Sequence, residues 1–153
     1  TQKLPEEDIV ILKLASLMLY TGYIHTHDSP LEACFSTTEE ILPRYGFDLE
    51  SINEVKKLIQ NSFSNKLESK ADTILHDSRY DYLGRVDYPK LTEKLLREES
   101  EYGKSHSQKE WLDIQMKLLT EHEFITGTGR LLRSVQVEEQ IASLMEDQPP
   151  SAQ

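Results

Sequence analysis

The chain has 153 residues, a formal net charge of −10 and 37% hydrophobic residues. This composition is typical of one globular domain, and it argues against binding to nucleic-acid phosphates or to anionic membranes. Cys34, the single cysteine, excludes an internal disulfide framework and an all-thiolate metal site. The longest apolar stretch, residues 9–20, is interrupted by Lys13 and Ser16, so no membrane span is predicted. We expect a cytoplasmic protein with no nucleic-acid or membrane partner.

Apolar residues recur every three or four positions along almost the whole chain, and this spacing predicts α-helices. We expect a single all-α domain of about seven helices over residues 1–147, followed by a disordered Pro-containing tail at 148–153. The first helix should start near Pro5 and end before Gly22. Because it is apolar on nearly all sides, we expect it to be central.

Capping signals indicate where four later helices start. In a capping box, a serine and a glutamate three residues later bond the first backbone N–H groups of a helix. The candidate caps are Ser29 with Glu32, Asp48, Asp87, and Ser107 with Glu110. The fourth helix is expected over about 66–82 and should end at Gly84.

Two segments carry side chains that can bind a divalent metal, which needs several lone-pair donors around one point. His25, His27 and Asp28 share a loop; they either reach one ion together or form an ordinary polar surface loop. His76 and Asp77 are adjacent in the fourth helix, where neighbouring side chains diverge by about 100°. Asp77 borders the buried face, so its carboxylate must be paired, hydrogen-bonded or metal-bound.

Two further features are a glycine-containing segment before the last helix and the single cysteine. Gly127-x-Gly129-Arg130 precedes the last helix; it can hold a phosphate or form a simple turn between helices. Cys34 lies in a helix beside an apolar residue and is interpreted as a packing residue.

Residues 14–23 and 74–85 resemble the HD-domain superfamily of metal-dependent phosphohydrolases, in a small bacterial branch. The similarity extends over roughly residues 9–139. In that family an aliphatic helix ends in His-Asp, followed by a small residue, a glycine and an aromatic residue. The matching segments here are Leu17-Met18-Leu19-Tyr20-Thr21-Gly22-Tyr23, residues 39–47, Ile74 to Arg85, Trp111 with Gln115, and 122–126.

The resemblance implies a metal centre made by a first histidine, the adjacent His-Asp pair and a distant aspartate. The pair falls on Leu19 and Tyr20, and no histidine precedes His25. Asp77 alone matches a ligand position, that of the distant aspartate. The resemblance therefore implies a degenerate HD domain, a pseudoenzyme with no cofactor, acting as a regulatory, ligand-binding or oligomerising module.

A retained pocket in such a domain would lie near Tyr20, Asp77, Arg79 and Arg85, and its arginines would suit a small anionic ligand. Asp77 would then be neutralised by Arg79 or by the Tyr20 hydroxyl.

Two other functions stay open. In the first, the chain is an active metal-dependent phosphohydrolase in which His25, His27 and Asp28 join Asp77 around a divalent metal. In the second, it is a helical scaffold or interaction domain of a longer protein, with a homo-oligomer or another protein as its partner.

Overall fold

The computed structural model describes residues 3–146, and within this range it contains seven α-helices and no β-strand. The all-α prediction with about seven helices is confirmed. The helices are α1 (Glu6–Met18), α2 (Pro30–Ile41), α3 (Leu49–Phe63), α4 (Lys70–Arg79), α5 (Tyr88–Glu101), α6 (Gln108–Glu121) and α7 (Gly127–Glu146). Three short 3-10 helices cover Thr21–Ile24, Leu42–Tyr45 and Asp81–Gly84.

None of the described helices combines the length and the apolar character needed to cross a lipid bilayer. The tail at 148–153, for which the sequence predicts disorder, lies outside the described residues.

The chain forms two compact units, and the boundary between them falls inside α4. Unit 1 ends at His76, and unit 2 begins at Asp77. In unit 1, α1 and α2 pack on α3, and the hydrophobic core takes residues from all three helices and from the start of α4. In unit 2, α7 packs on α6 and on the 81–84 turn. A second, smaller core lies around Leu83, Tyr88 and Leu119.

Two of the predicted caps are formed. The Asp48 side chain accepts the backbone N–H of Ser51 at 2.9 Å, at the start of α3. Ser107 and Glu110 make both bonds of a capping box at the start of α6. These caps fix the first turns of two helices through contacts that are local in sequence.

The other two predicted caps are wrong. Ser29 and Asp87 make no side-chain cap, and Asp87 instead binds the guanidinium group of Arg85. A capping box that the sequence analysis missed lies at the start of α4. There Ser69 Oγ accepts the Asp72 N–H at 3.1 Å, and Asp72 Oδ2 accepts the Ser69 N–H at 2.8 Å.

Helix α1 is not buried on all sides, contrary to the expectation that it is central. Ile11 and Ala15 are buried, whereas Leu17 is 71% exposed. Within unit 1, α1 packs on α2 and α3, and its buried side chains lie on the face that carries residues 11 and 15. Apolar side chains on the other faces of α1 remain in contact with solvent.

Gly22 brings the turn after α1 into close contact with α2. A Cβ atom at this position would lie 1.9 Å from the Pro30 carbonyl oxygen. The Gly22 N–H donates to the Cys34 sulfur, and the Cys34 thiol donates to the Leu19 carbonyl, each at 3.2 Å. Cys34 is fully buried, as a packing residue should be, and it also connects α2 to the end of α1 through these bonds.

We predict that Gly22→Ala destabilises the protein by about 3 kcal/mol or more, because backbone on both sides must move to admit the methyl group. The measurement is urea unfolding followed by circular dichroism. Gly127→Ala is the matched control, since nothing lies within 4 Å of its Cβ position. A Gly22→Ala protein within about 0.5 kcal/mol of wild type would contradict the close contact.

Candidate functional site

Asp77 is the residue that matches a metal-ligand position in the resemblance, and its carboxylate is buried and accepts hydrogen bonds from other residues of unit 2. The residue is 7% exposed. Its Oδ1 accepts the N–H of Ile125 at 3.0 Å, and its Oδ2 accepts the N–H of Thr126 at 2.8 Å and the Thr126 hydroxyl at 2.6 Å. A carboxylate offers about four lone-pair positions, so three of them are occupied by the chain itself. The structure therefore satisfies this buried carboxylate with hydrogen bonds, one of the three alternatives that the sequence leaves open.

The donors to Asp77 stand at the beginning of α7. Thr126 precedes the first residue of this helix, and its Oγ1 accepts the N–H of Gly129 at 2.9 Å. The N-terminal N–H groups of a helix lack partners within the helix and carry partial positive charge, which favours an anion at this end. The Gly127-x-Gly129-Arg130 segment, predicted to precede the last helix, forms the first turn of α7, and the Asp77 carboxylate is the anion at this helix terminus.

Gly129 allows Asp77 to approach this closely. A Cβ atom at position 129 would lie 2.5 Å from Asp77 Oδ2 and 3.0 Å from Thr126 Oγ1. Any side chain here would therefore push the carboxylate off the helix terminus. Of the two glycines in the motif, Gly127 has open space around it, so the constraint falls on Gly129.

Aromatic rings surround this corner of unit 2. The His122 ring lies 4.5 Å from the Tyr80 ring and 4.7 Å from the Phe124 ring, between centroids. A ring nitrogen of His122 lies within 4.8 Å of an Asp77 carboxylate oxygen. The sequence analysis placed 122–126 in the resemblance without singling out His122, because nothing local in the sequence connects it to Asp77.

The positions that the resemblance assigns to the His-Asp pair do not supply metal ligands. Leu19 is 2% exposed and belongs to the core of unit 1, and its side chain has no lone pair. Tyr20 is 51% exposed, and its ring lies 6.2 Å from that of Tyr23. Leu19 and Tyr20 offer no metal ligand, and Asp77 is hydrogen-bonded to Ile125 and Thr126. These residues therefore do not fit the metal centre that the resemblance implies.

The structure does not gather the histidine loop into a metal cluster. Within residues 3–146, no group of three potential ligands within 4.8 Å contains His25, His27 or Asp28. His25 is exposed, the His27 ring stands edge-on to Tyr23 at 5.3 Å, and the Asp28 N–H donates to the Thr26 hydroxyl at 3.2 Å. A relocated metal site on this loop stays a prediction.

Both arginines proposed for an anionic ligand have partners in unit 2. The Arg79 guanidinium lies over the Tyr80 ring at 5.6 Å. Arg85 binds Asp87 through two N–H groups, at 2.8 and 2.9 Å. These bonds raise the pKa of Arg85 and lower the pKa of Asp87. An anionic ligand at Arg85 would have to displace this carboxylate.

No protein-family model, curated protein or solved structure matches this chain.

We predict that Asp77→Asn lowers the stability of the protein by about 1–3 kcal/mol, because an amide cannot accept at both positions and leaves a buried N–H of Ile125 or Thr126 without an acceptor. For a chain of this length each kcal/mol corresponds to about 2–4 °C in Tm, measured by thermal unfolding. Asp113→Asn, at an exposed position of α6, should leave Tm unchanged. Equal Tm values for the two variants would show that the bonds to α7 do not stabilise the fold.

Proposed function

We propose that this chain is a cytoplasmic, HD-like helical module without hydrolase chemistry, which acts by binding. One observation carries the proposal: the Asp77 carboxylate is hydrogen-bonded through both of its oxygens to Ile125 and Thr126, the two residues just before α7. In this interpretation a residue at a metal-ligand position serves as the anchor of a helix.

This function is the best supported because a metal hydrolase needs ligands that the residues at the matching positions do not provide. A catalytic metal needs about three protein ligands and an open position for water. Leu19 and Tyr20 occupy the positions that the resemblance assigns to two ligands, and Asp77 already accepts three hydrogen bonds from Ile125 and Thr126. A buried carboxylate without a metal must be neutralised by other groups, and the N-terminus of α7 does this.

An anionic ligand at Arg79 and Arg85 is not included in this proposal. Arg85 is already paired with Asp87, and the net charge of −10 opposes an anion at long range.

The proposal predicts that the protein contains no stoichiometric metal. The measurement is elemental mass spectrometry on protein purified without chelators or a histidine tag, before and after incubation with divalent ions. Asp77→Asn should give the same metal content as wild type and as Asp113→Asn. Near-stoichiometric manganese, iron, nickel or zinc that is lost in Asp77→Asn alone would overturn the proposal and favour the active phosphohydrolase.

A second candidate function, self-association, is favoured by the exposed face of α7. Leu131 is 81% exposed, and Leu132, Val135 and Met145 are also largely exposed. An alternating spacing of four and three aligns residues along one helix face. In α7 this spacing connects positions 131, 135, 138, 142 and 145. Four of these five positions are apolar, with Glu138 between them. The same face of a second copy is the partner that fits best, because homo-oligomers are mostly symmetric dimers.

Self-association through α7 predicts a dimer in light scattering coupled to size exclusion. The double variant Leu131→Gln, Val135→Gln should be monomeric, because it removes two apolar contacts from each helix of the pair. Ile24→Gln with Leu49→Gln changes two comparably exposed residues of unit 1 and should leave the dimer intact. A wild-type monomer at all concentrations would remove this candidate.

A further inference from the structure

A groove in unit 2 has the size and the lining of a small-molecule site. It lies among α5, α6 and α7 and has a volume of about 510 Å³. Binding sites for small molecules range over about 300–1,000 Å³ and combine apolar walls with a few fixed polar groups. The apolar lining includes Leu96, Leu112, Leu144 and the Trp111 ring, so each of the three helices contributes.

The polar part of the groove is built on a buried hydrogen bond. The Tyr88 hydroxyl donates to Gln115 Oε1 at 2.9 Å, and both residues are 2% exposed. Burial raises the pKa of Tyr88, so the phenol stays protonated and keeps this bond at physiological pH. In this arrangement Oε1 of Gln115 faces Tyr88, and Nε2 is the other end of the amide.

The other end of the Gln115 amide is a donor that the protein leaves unused. Within residues 3–146, Nε2 of Gln115 has no hydrogen-bond partner, and the side chain lines the groove. The indole N–H of Trp111, a second lining residue, likewise lacks a hydrogen-bond acceptor in the described part of the chain. Neither nitrogen is among the buried, unpartnered side-chain atoms of the described residues, so both are open to solvent and available to an acceptor on a ligand in the groove.

The charge of the lining selects among possible acceptors. Among the described residues that line this groove there is no lysine, arginine or histidine, and Glu93 is the one acidic residue. A phosphate or carboxylate would therefore find no counter-charge and would face a like charge. A neutral carbonyl oxygen meets the Gln115 donor without this penalty.

We propose that this groove binds a neutral, flat small molecule whose carbonyl oxygen accepts from the Gln115 side-chain amide and whose apolar body packs against Trp111 and the leucines. The site is distinct from the Asp77 corner, and the proposal does not depend on whether the chain is an enzyme.

Benzamide is a suitable probe because it joins a flat ring to a neutral carbonyl, and Trp111 is the single tryptophan of the chain. We expect saturable binding to the wild-type protein with a Kd of about 1 mM, followed by Trp111 fluorescence and by the Gln115 side-chain amide resonance. Benzoate, which carries a charge, and toluene, which lacks the acceptor, should each bind about tenfold more weakly.

Two variants and one control locate the binding. Gln115→Met keeps the size of the side chain, removes the donor and should weaken benzamide binding about tenfold. Gln60→Met makes the same change at an exposed position of α3 and should bind like wild type. Ser143→Phe adds a ring at an exposed position of the lining, so the fold should persist while binding is lost.

The proposal is overturned by any of three results: no saturable benzamide binding up to about 20 mM, equal affinity for toluene, or full affinity in a folded Ser143→Phe protein. If Gln115→Met does not fold, the Ser143→Phe result decides.

Discussion

The contact between the Asp77 carboxylate and the two residues just before α7, Ile125 and Thr126, is the interaction on which the rest of unit 2 depends. It fixes where α7 begins, because Thr126 and Gly129 close the first turn around the carboxylate. The helix is then held along its length at the 81–84 turn, where Arg133 pairs with Asp81 at 2.7 Å. A Cβ atom at Gly84 would lie 2.4 Å from the Arg133 Cβ. The groove among α5, α6 and α7 is lined in part by α7. Its shape therefore depends on the hydrogen bonds that hold the start of this helix.

The hydrogen bonds from Ile125 and Thr126 also stabilise the buried charge of the Asp77 carboxylate. A carboxylate that is removed from water needs a cation, an arginine or several hydrogen-bond donors. The sequence analysis expected Arg79 or the Tyr20 hydroxyl in this role. Backbone N–H groups at a helix terminus provide partial positive charge without a long side chain to order. The metal-ligand role that the resemblance implies and the helix-anchoring role of Asp77 both use the oxygens of one carboxylate.

Local patterns predicted most of the fold, and they failed where the chain is constrained from a distance. Ser107 with Glu110 and Ser29 with Glu32 have the same spacing, yet only the first pair forms a box. Ser107 has the extended backbone that a cap requires, at ψ 160°, whereas Ser29 is turned to ψ 59°. The start of α2 must also accommodate Gly22 against the Pro30 carbonyl, a contact that no motif encodes.

The candidate site was predictable in part. The burial of Asp77 followed from helical periodicity, but its partners lie 48 and 49 residues away in the sequence. The nearest signal for them was Gly127-x-Gly129-Arg130, which the sequence presents as a turn or a phosphate site. The exposure of Leu17 and of the α7 face could not be predicted either, because an apolar pattern does not show which helix faces pack against other elements.

Backbone hydrogen exchange tests the anchor most directly. The account predicts that the amides of Ile125 and Thr126 exchange slowly in the wild-type protein. In Asp77→Ala they should exchange much faster, while amides in the middle of α6 keep their protection. Fast exchange at both amides in wild type, or unchanged protection in Asp77→Ala, would contradict the claim that Asp77 holds the start of α7.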